Sequence, residues 1–227
     1  ISIDVFALIN YWMKIRRRKV REVNGHKFAL RPDKPDKRDI KYKALRIISL
    51  PDSTELKNIN RFSLRCDQGR KGACTAFSSL YAYEFILTVT GKIVVYLSRL
   101  FQYGNTRNPH FSNDDSGGTI RDAFKAMNKY GICLDSLWPY VEEKFATMPT
   151  KECFEEALNH QSIRYEKIVA DKKQAVKEAL FYSNPVVCGI PIYESFESDE
   201  VARTVIIPMP KTCILEKKKL LGYHAIC

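Results

Sequence analysis

Two residues far apart in this chain have the chemistry of a nucleophile and its base, Cys74 and His224. A cysteine attacks as its thiolate, and an ordinary thiol with a pKa of about 8.5 is only slightly ionised at neutral pH. The segment DQGRKGACTAF around Cys74 holds the means to change that. It predicts a helix starting at about Cys74, and a helix N-terminus turns unpaired N–H groups and partial positive charge towards an anion. Gly69 and Gly72 flank Arg70 and Lys71 and allow a tight turn into that helix. The side-chain NH₂ of Gln68 and the N–H of Cys74 can converge on one point, where they would stabilise the oxyanion formed as a thiolate attacks a carbonyl. Arg70 and Lys71 add a positive field, which solvent screens. Of the four histidines, only His224 is embedded in an apolar, strand-like segment, LLGYHAIC, where an unpaired imidazole is costly. His26, His110 and His160 lie in polar or charged surroundings and read as surface. Taken singly, Cys74 reads equally as a small buried residue at a helix start, and His224 as a core histidine bonded to a carbonyl.

Phe77, Leu80, Tyr81 and Phe85 give the nucleophile helix an apolar stripe at three-and-four spacing, and Gly91 ends it. Glu84 lies beside that stripe and must reach solvent or a partner. A second helix is expected from about Thr119 to Tyr130, capped by Thr119 with Asp122 and stopped by Gly131. Shorter helices are expected around 153–160 and 172–182. From Pro185 onward the pattern becomes β-branched, with strands at 186–192, 205–207 and 220–227. RPDKPDKRD at 31–39 reads as an extended, exposed connector. The chain thus divides into a lead-in at 1–44, a mainly helical lobe at 45–184 and the start of a β-rich lobe at 185–227.

QGRKGACTAF resembles the nucleophile segment of the papain family, the C1-type cysteine peptidases. Thr75 stands in place of the usual tryptophan, and Lys71 where many secreted members carry a disulfide cysteine. Both departures resemble the bacterial, archaeal and large-DNA-virus branch. RPDKPDKRD, SGGTIRDAFKAMNKYGIC with the following LWPY, and NPVVCGIPIYESF are similar to that branch's lead-in, central segment and second-lobe opening strand. The separation of Cys74 from His224 falls at the edge of the roughly 130 to 150 residues used by papain-like enzymes. The resemblance implies an α+β, papain-like two-lobe fold with a helical first lobe and a β-rich second lobe. It implies Cys74 as nucleophile, His224 as base and Gln68 as oxyanion donor, with no cofactor or metal. Tyr223, where glycine is common, would narrow the approach to the base. The family's orienting asparagine follows its histidine, whereas only Ala225, Ile226 and Cys227 follow His224, so the second lobe is expected to be cut short. The implied activity is hydrolysis of polypeptides by a monomer, through a thiolate–imidazolium pair and an acyl-enzyme. The alternative is an inactive papain-like domain with a binding or structural role. An inhibitory role for the first 40 or so residues is a further hypothesis, prompted by their length ahead of the nucleophile.

Composition excludes little beyond disorder. With 45% hydrophobic residues and twelve each of Tyr and Phe, the 227 residues can build a real core. A net charge of +11 favours anionic partners in general, but no zinc-finger spacing, recognition helix or aromatic-basic strand motif points to specific nucleic-acid binding. Seven cysteines leave one unpaired at least, with no CxxC pair, and the disulfide pattern stays open. The opening ISIDVFALINYWM is too short to span a bilayer, and its basic run follows rather than precedes it. A short amphipathic helix is expected there, and no transmembrane segment.

Overall fold

Helix α1 (Cys74–Val89) forms the axis of the molecule, and the reason lies in its composition. Its residues are apolar or small on nearly every face, so Leu80, Ala82, Tyr83, Phe85, Ile86 and Leu87 are all buried. Two serine hydroxyls on this helix are satisfied locally, Ser78 donating to Cys74 O at 2.8 Å and Ser79 to Ala76 O at 3.1 Å. The one-sided stripe expected from sequence is therefore only part of a helix enclosed all round. It ends at Val89, two residues before Gly91, which takes a positive φ of 70°.

The structure is a computed structural model that describes residues 7–9, 22–43, 49–51, 66–92, 95–107, 109–162, 164–169, 172–204 and 206–227. Around α1 pack α2 (Arg99–Thr106), α3 (Ile120–Tyr130) and α4 (Lys151–Ala157), the last continuing into a 3₁₀ turn at 158–160. The caps of α3 are those foreseen: Thr119 Oγ1 accepts from Asp122 N at 3.0 Å, and Gly131 stops the helix at φ 69°. Helix α2 was not foreseen: RLFQYGNT is short and polar on average. Tertiary partners make its polar residues buriable. Arg99 grips Glu84 with both guanidinium nitrogens, at 2.6 and 2.5 Å, and Gln102 donates to Ala123 O at 2.7 Å. Glu84 thus finds its partner inside the protein, not in solvent. Burial opposes the charge on Arg99, but the Glu84 carboxylate outweighs it and raises the guanidinium above its ordinary value.

The second region is a four-stranded sheet in the order β4 (Glu166–Ile168), β1 (Ala7–Ile9), β5 (Val186–Tyr193), β6 (Leu220–Ile226). Strand β1 runs parallel to both its neighbours, and β5 and β6 are antiparallel with Ile190 opposite His224. Helix α5 (Lys172–Phe181) covers the β4 end, packing Ala175 and Ala179 on Ile168 and Val186. A two-stranded hairpin, β2 (Glu22–Val23) and β3 (His26–Lys27), turns at Asn24-Gly25, both at positive φ.

Three expectations change. Residues 7–9 form a strand where a helix was expected; the rest of that opening stretch lies outside the described residues. Ile206 and Ile207 form no strand, and Val205 lies outside the described residues. Pro208 and Pro210 follow closely and lack the N–H groups a ladder needs. Helices α6 (Asp199–Thr204) and α7 (Pro210–Leu215) bridge β5 to β6 instead. The connector at 31–39 is extended but pinned: Asp33 is buried and accepts from Arg121 N at 3.1 Å, and Asp39 pairs with Arg121 and Lys167.

The result is a two-lobe α+β architecture, helix-rich on one side, with a smaller, incompletely closed sheet on the other. Helix α1 lies between them and touches both β5 and β6. Among the described residues, no helix is long and apolar enough to cross a membrane.

Candidate active site

The loop leading into α1 is held by a dense set of hydrogen bonds to its backbone. Asp67 accepts from Gly69 N at 2.8 Å, Glu142 from Arg70 N at 3.2 Å and Asp115 from Gly72 N at 3.0 Å, while Tyr140 OH donates to Gln68 O at 2.8 Å. Gly69 meets the expectation of a tight turn, at φ 57°. Gly72 serves a different end: a Cβ there would stand 2.7 Å from the Cβ of Ala29. Lys71 leans over the Phe145 ring, 4.4 Å from its centroid.

Cys74 is the first residue of α1 and is 1% exposed. Burial dominates and pushes its thiol up to about 11, and the nearby backbone N–H groups of Ala225, Thr75 and Cys74 itself only moderate the shift. Helix α1 packs directly on the strand bearing His224. On β6, His224 packs against the edge of Phe28, with centroids 6.0 Å apart and planes at 81°. Its Nδ1 is buried and has no hydrogen-bond partner among the described residues. Burial, and secondarily the charge of His26, lowers its pKa to about 4. Burial thus opposes the charged form of each group taken alone.

Gln68, Cys74 and His224 line one cavity of about 430 Å³ between the lobes. The Gln68 amide donates to Lys71 O at 3.1 Å, which leaves the second of its two N–H bonds for another acceptor. Phe28, Phe77, Tyr81 and Phe196 supply apolar wall to the same cavity. The other histidines have surface partners: His26 with Glu197 at 3.3 Å, His110 with Tyr130 OH at 3.3 Å and His160 with Glu156 at 3.2 Å. All seven cysteines are free thiols. No group of three or more His, Cys, Asp or Glu among the described residues could hold a metal ion.

Sequence reasoning missed the part played by residues 26–28, which reach this cavity from the hairpin. The Asn-Gly turn was the available signal, since it marks a hairpin that must dock somewhere. It also missed Asp115, which sits in a polar turn with nothing in its spacing to mark it.

A helix-rich lobe and a sheet, with a cavity between them lined by the thiol that opens the central helix and by a strand-borne imidazole, resemble the general class of two-lobe thiol hydrolases. The comparisons then place it. The profile described as papain family cysteine protease matches residues 50–221. An uncharacterized peptidase C1-like protein of Acanthamoeba polyphaga mimivirus is 35% identical over 225 residues, covering 88% of this chain and 71% of that protein. Cathepsin S of Rattus norvegicus is 28% identical over 174 residues, or 74% of this chain and 50% of that protein. Among solved structures, xylellain, a cysteine protease from Xylella fastidiosa, aligns with a TM-score of 0.76 at 28% identity, over 94% of this chain and 81% of its own. The chain belongs to the papain family of cysteine peptidases, with named relatives in a large DNA virus and a bacterium.

Proposed function

We propose that this chain hydrolyses peptide bonds in polypeptides, as a monomer, with Cys74 as nucleophile, His224 as general base and acid, and Gln68 as oxyanion donor. The observation that carries the reading is the common cavity of these three side chains, with the His224 Nδ1 unsatisfied by any described residue. An orphan buried nitrogen costs free energy, so its persistence at this spot favours a working role over a packing one.

His224 takes the proton of Cys74 to form a thiolate–imidazolium pair. The sulfur then bonds to the substrate carbonyl carbon as the carbonyl π pair moves to oxygen. The Cys74 N–H and the free N–H of Gln68 stabilise that oxyanion. As the carbonyl re-forms, the C–N bond breaks and His224 returns its proton to the leaving amine. Water then adds to the thioester, losing a proton to His224, and collapse releases the acid and returns the proton to the Cys74 sulfur.

Turnover of an unfolded protein substrate should vanish in Cys74→Ala and fall nearly as far in His224→Ala. Full turnover by Cys74→Ala would refute the assignment. An epoxide that alkylates nucleophilic thiols should modify Cys74 stoichiometrically, and His224→Ala should suppress this. No modification of the wild-type chain would favour the inactive binding domain.

A further inference from the structure

The three most exposed large apolar side chains among the described residues stand in one short stretch: Ile206 at 72%, Met209 at 71% and Leu215 at 73%. Ile207 and Ile214 join them, each exposed over roughly half its surface. All five lie on the excursion that leaves β5 and returns as β6 by way of α6 and α7. Water around such side chains is costly, and a cluster of them left bare marks a surface that meets something else. The stretch is not a loose tail. Ile206 N donates to Thr204 Oγ1 at 3.2 Å, Cys213 N to Met209 O at 3.2 Å and Lys218 N to Cys213 O at 2.9 Å. Cys213 is its buried pin, 2% exposed, with its sulfur 3.3 Å from the Ser195 hydroxyl. With Cys213 turned inward, the following Ile214 and Leu215 are turned out to solvent.

The same stretch is strongly basic. Arg203, Lys211, Lys217, Lys218 and Lys219 are all exposed, against the single carboxylate of Glu216. Glu216 approaches Lys218 at 3.9 Å, and the other four cations form no ion pair among the described residues. Asp199 and Glu200 lie at the opposite end of α6. Apolar side chains interspersed with cations suit a partner that is anionic outside and hydrocarbon beneath. Lysine stems can lie along the apolar part and keep their ammonium groups at the level of the phosphates. Nucleic acid would match the charge and leave five apolar side chains in water. A protein partner needs pockets cut to side chains that project this far, whereas fluid lipid closes around them whatever their shape.

We propose that the protrusion at 203–219 is a surface anchor that inserts Ile206, Met209 and Leu215 into one leaflet of an anionic bilayer, while Lys217, Lys218 and Lys219 bind its headgroups. Leu220 and His224 share strand β6 and lie roughly 13 Å apart at about 3.3 Å per residue. Adsorption therefore holds the cavity of Cys74 and His224 near the lipid. The anchor does not draw on the peptidase reading.

The intact chain is sedimented with vesicles of phosphatidylcholine alone and of phosphatidylcholine with one quarter phosphatidylserine. The wild type should bind the anionic vesicles about tenfold or more tightly than the neutral ones, and added salt should weaken that binding. A triple variant, Lys217→Glu, Lys218→Glu and Lys219→Glu, should lower it about a hundredfold or more, since each cation near such a surface gives about a fivefold gain. Ile206→Ser combined with Leu215→Ser should lower it about tenfold or more. Met148→Ser, which removes an apolar side chain 60% exposed in a separate loop, should leave it unchanged. Unaltered melting temperatures identify these losses as surface effects. No binding by the wild type, or equal binding to both kinds of vesicle, would overturn the anchor. Undiminished binding by the Ile206→Ser, Leu215→Ser variant would do the same, because charge alone would then explain adsorption. So would a dimer in lipid-free buffer that this variant dissociates in sedimentation velocity, since a second copy would then cover the cluster.

Discussion

Acidifying the solution tests whether His224 sits in the fold as a neutral ring. In the unfolded chain its imidazole takes a proton at about 6.5, whereas in the fold burial, followed by the nearby His26, holds it back to about 4. Above 6.5 neither state is protonated, and the stability associated with this depressed pKa is fully present. Between 6.5 and about 4 only the unfolded chain binds the proton, so stability is lost as the pH falls and the loss levels off below about 4. The interval corresponds to about 3 kcal/mol in all. Carboxylates titrate across the lower part of the same window, so the comparison needs a variant that keeps their response and the ring volume. His224→Phe does this. Urea unfolding followed by tryptophan fluorescence at pH 7.5 and pH 4.5 gives the stability of each protein at each pH. The wild type should lose about 2.5 kcal/mol more than His224→Phe between the two, since pH 4.5 stops short of the folded value. Equal losses would refute the reasoning. A smaller loss in the wild type would go further: it would mean that His224 already holds a proton beside a Cys74 thiolate, with its folded pKa raised instead of lowered.

Two perturbations address the framework of the site. Glu84→Ala leaves the guanidinium of Arg99 buried with only the Leu97 carbonyl at 2.7 Å, and should cost about 3 to 5 kcal/mol in urea unfolding. A double replacement of Glu84 and Arg99 by methionine should recover much of that, and an equal or larger loss would show that the pair is not the cause. Thr119→Ala removes the oxygen that caps α3 and should cost about 1 kcal/mol. A variant as stable as the wild type would mean that another acceptor satisfies the Asp122 amide.

The local signals in the chain proved reliable wherever a residue's role was set by its neighbours in sequence. Thr119 and Gly131 mark the ends of α3 because caps are satisfied within a turn or two. Cys74 opens α1, and the apolar, largely β-branched run after Pro185 becomes β5, on the same local grounds. Where the deciding partner lay far along the chain, sequence was silent or misleading. Helix α2 reads as polar because Glu84 and the carbonyl of Ala123, which make its burial possible, come from other helices. Residues 205–207 read as a strand, but β-propensity reports fit to a pleated neighbour, and Ile206 and Ile207 pair with no strand among the described residues.

The site divides in the same way. Residue types and spacing, together with the resemblance to the papain family, made Cys74, Gln68 and His224 the candidates for nucleophile, oxyanion donor and base, since that chemistry permits few side chains. They could not show that a single cavity joins the three, nor that burial drives the thiol up and the imidazole down. Desolvation depends on every atom packed around a group, and most of those atoms come from elsewhere in the chain. Only the tertiary structure brings Phe28 against His224 and Lys27 to Asp115, because both contacts close loops across much of the chain that no local pattern records.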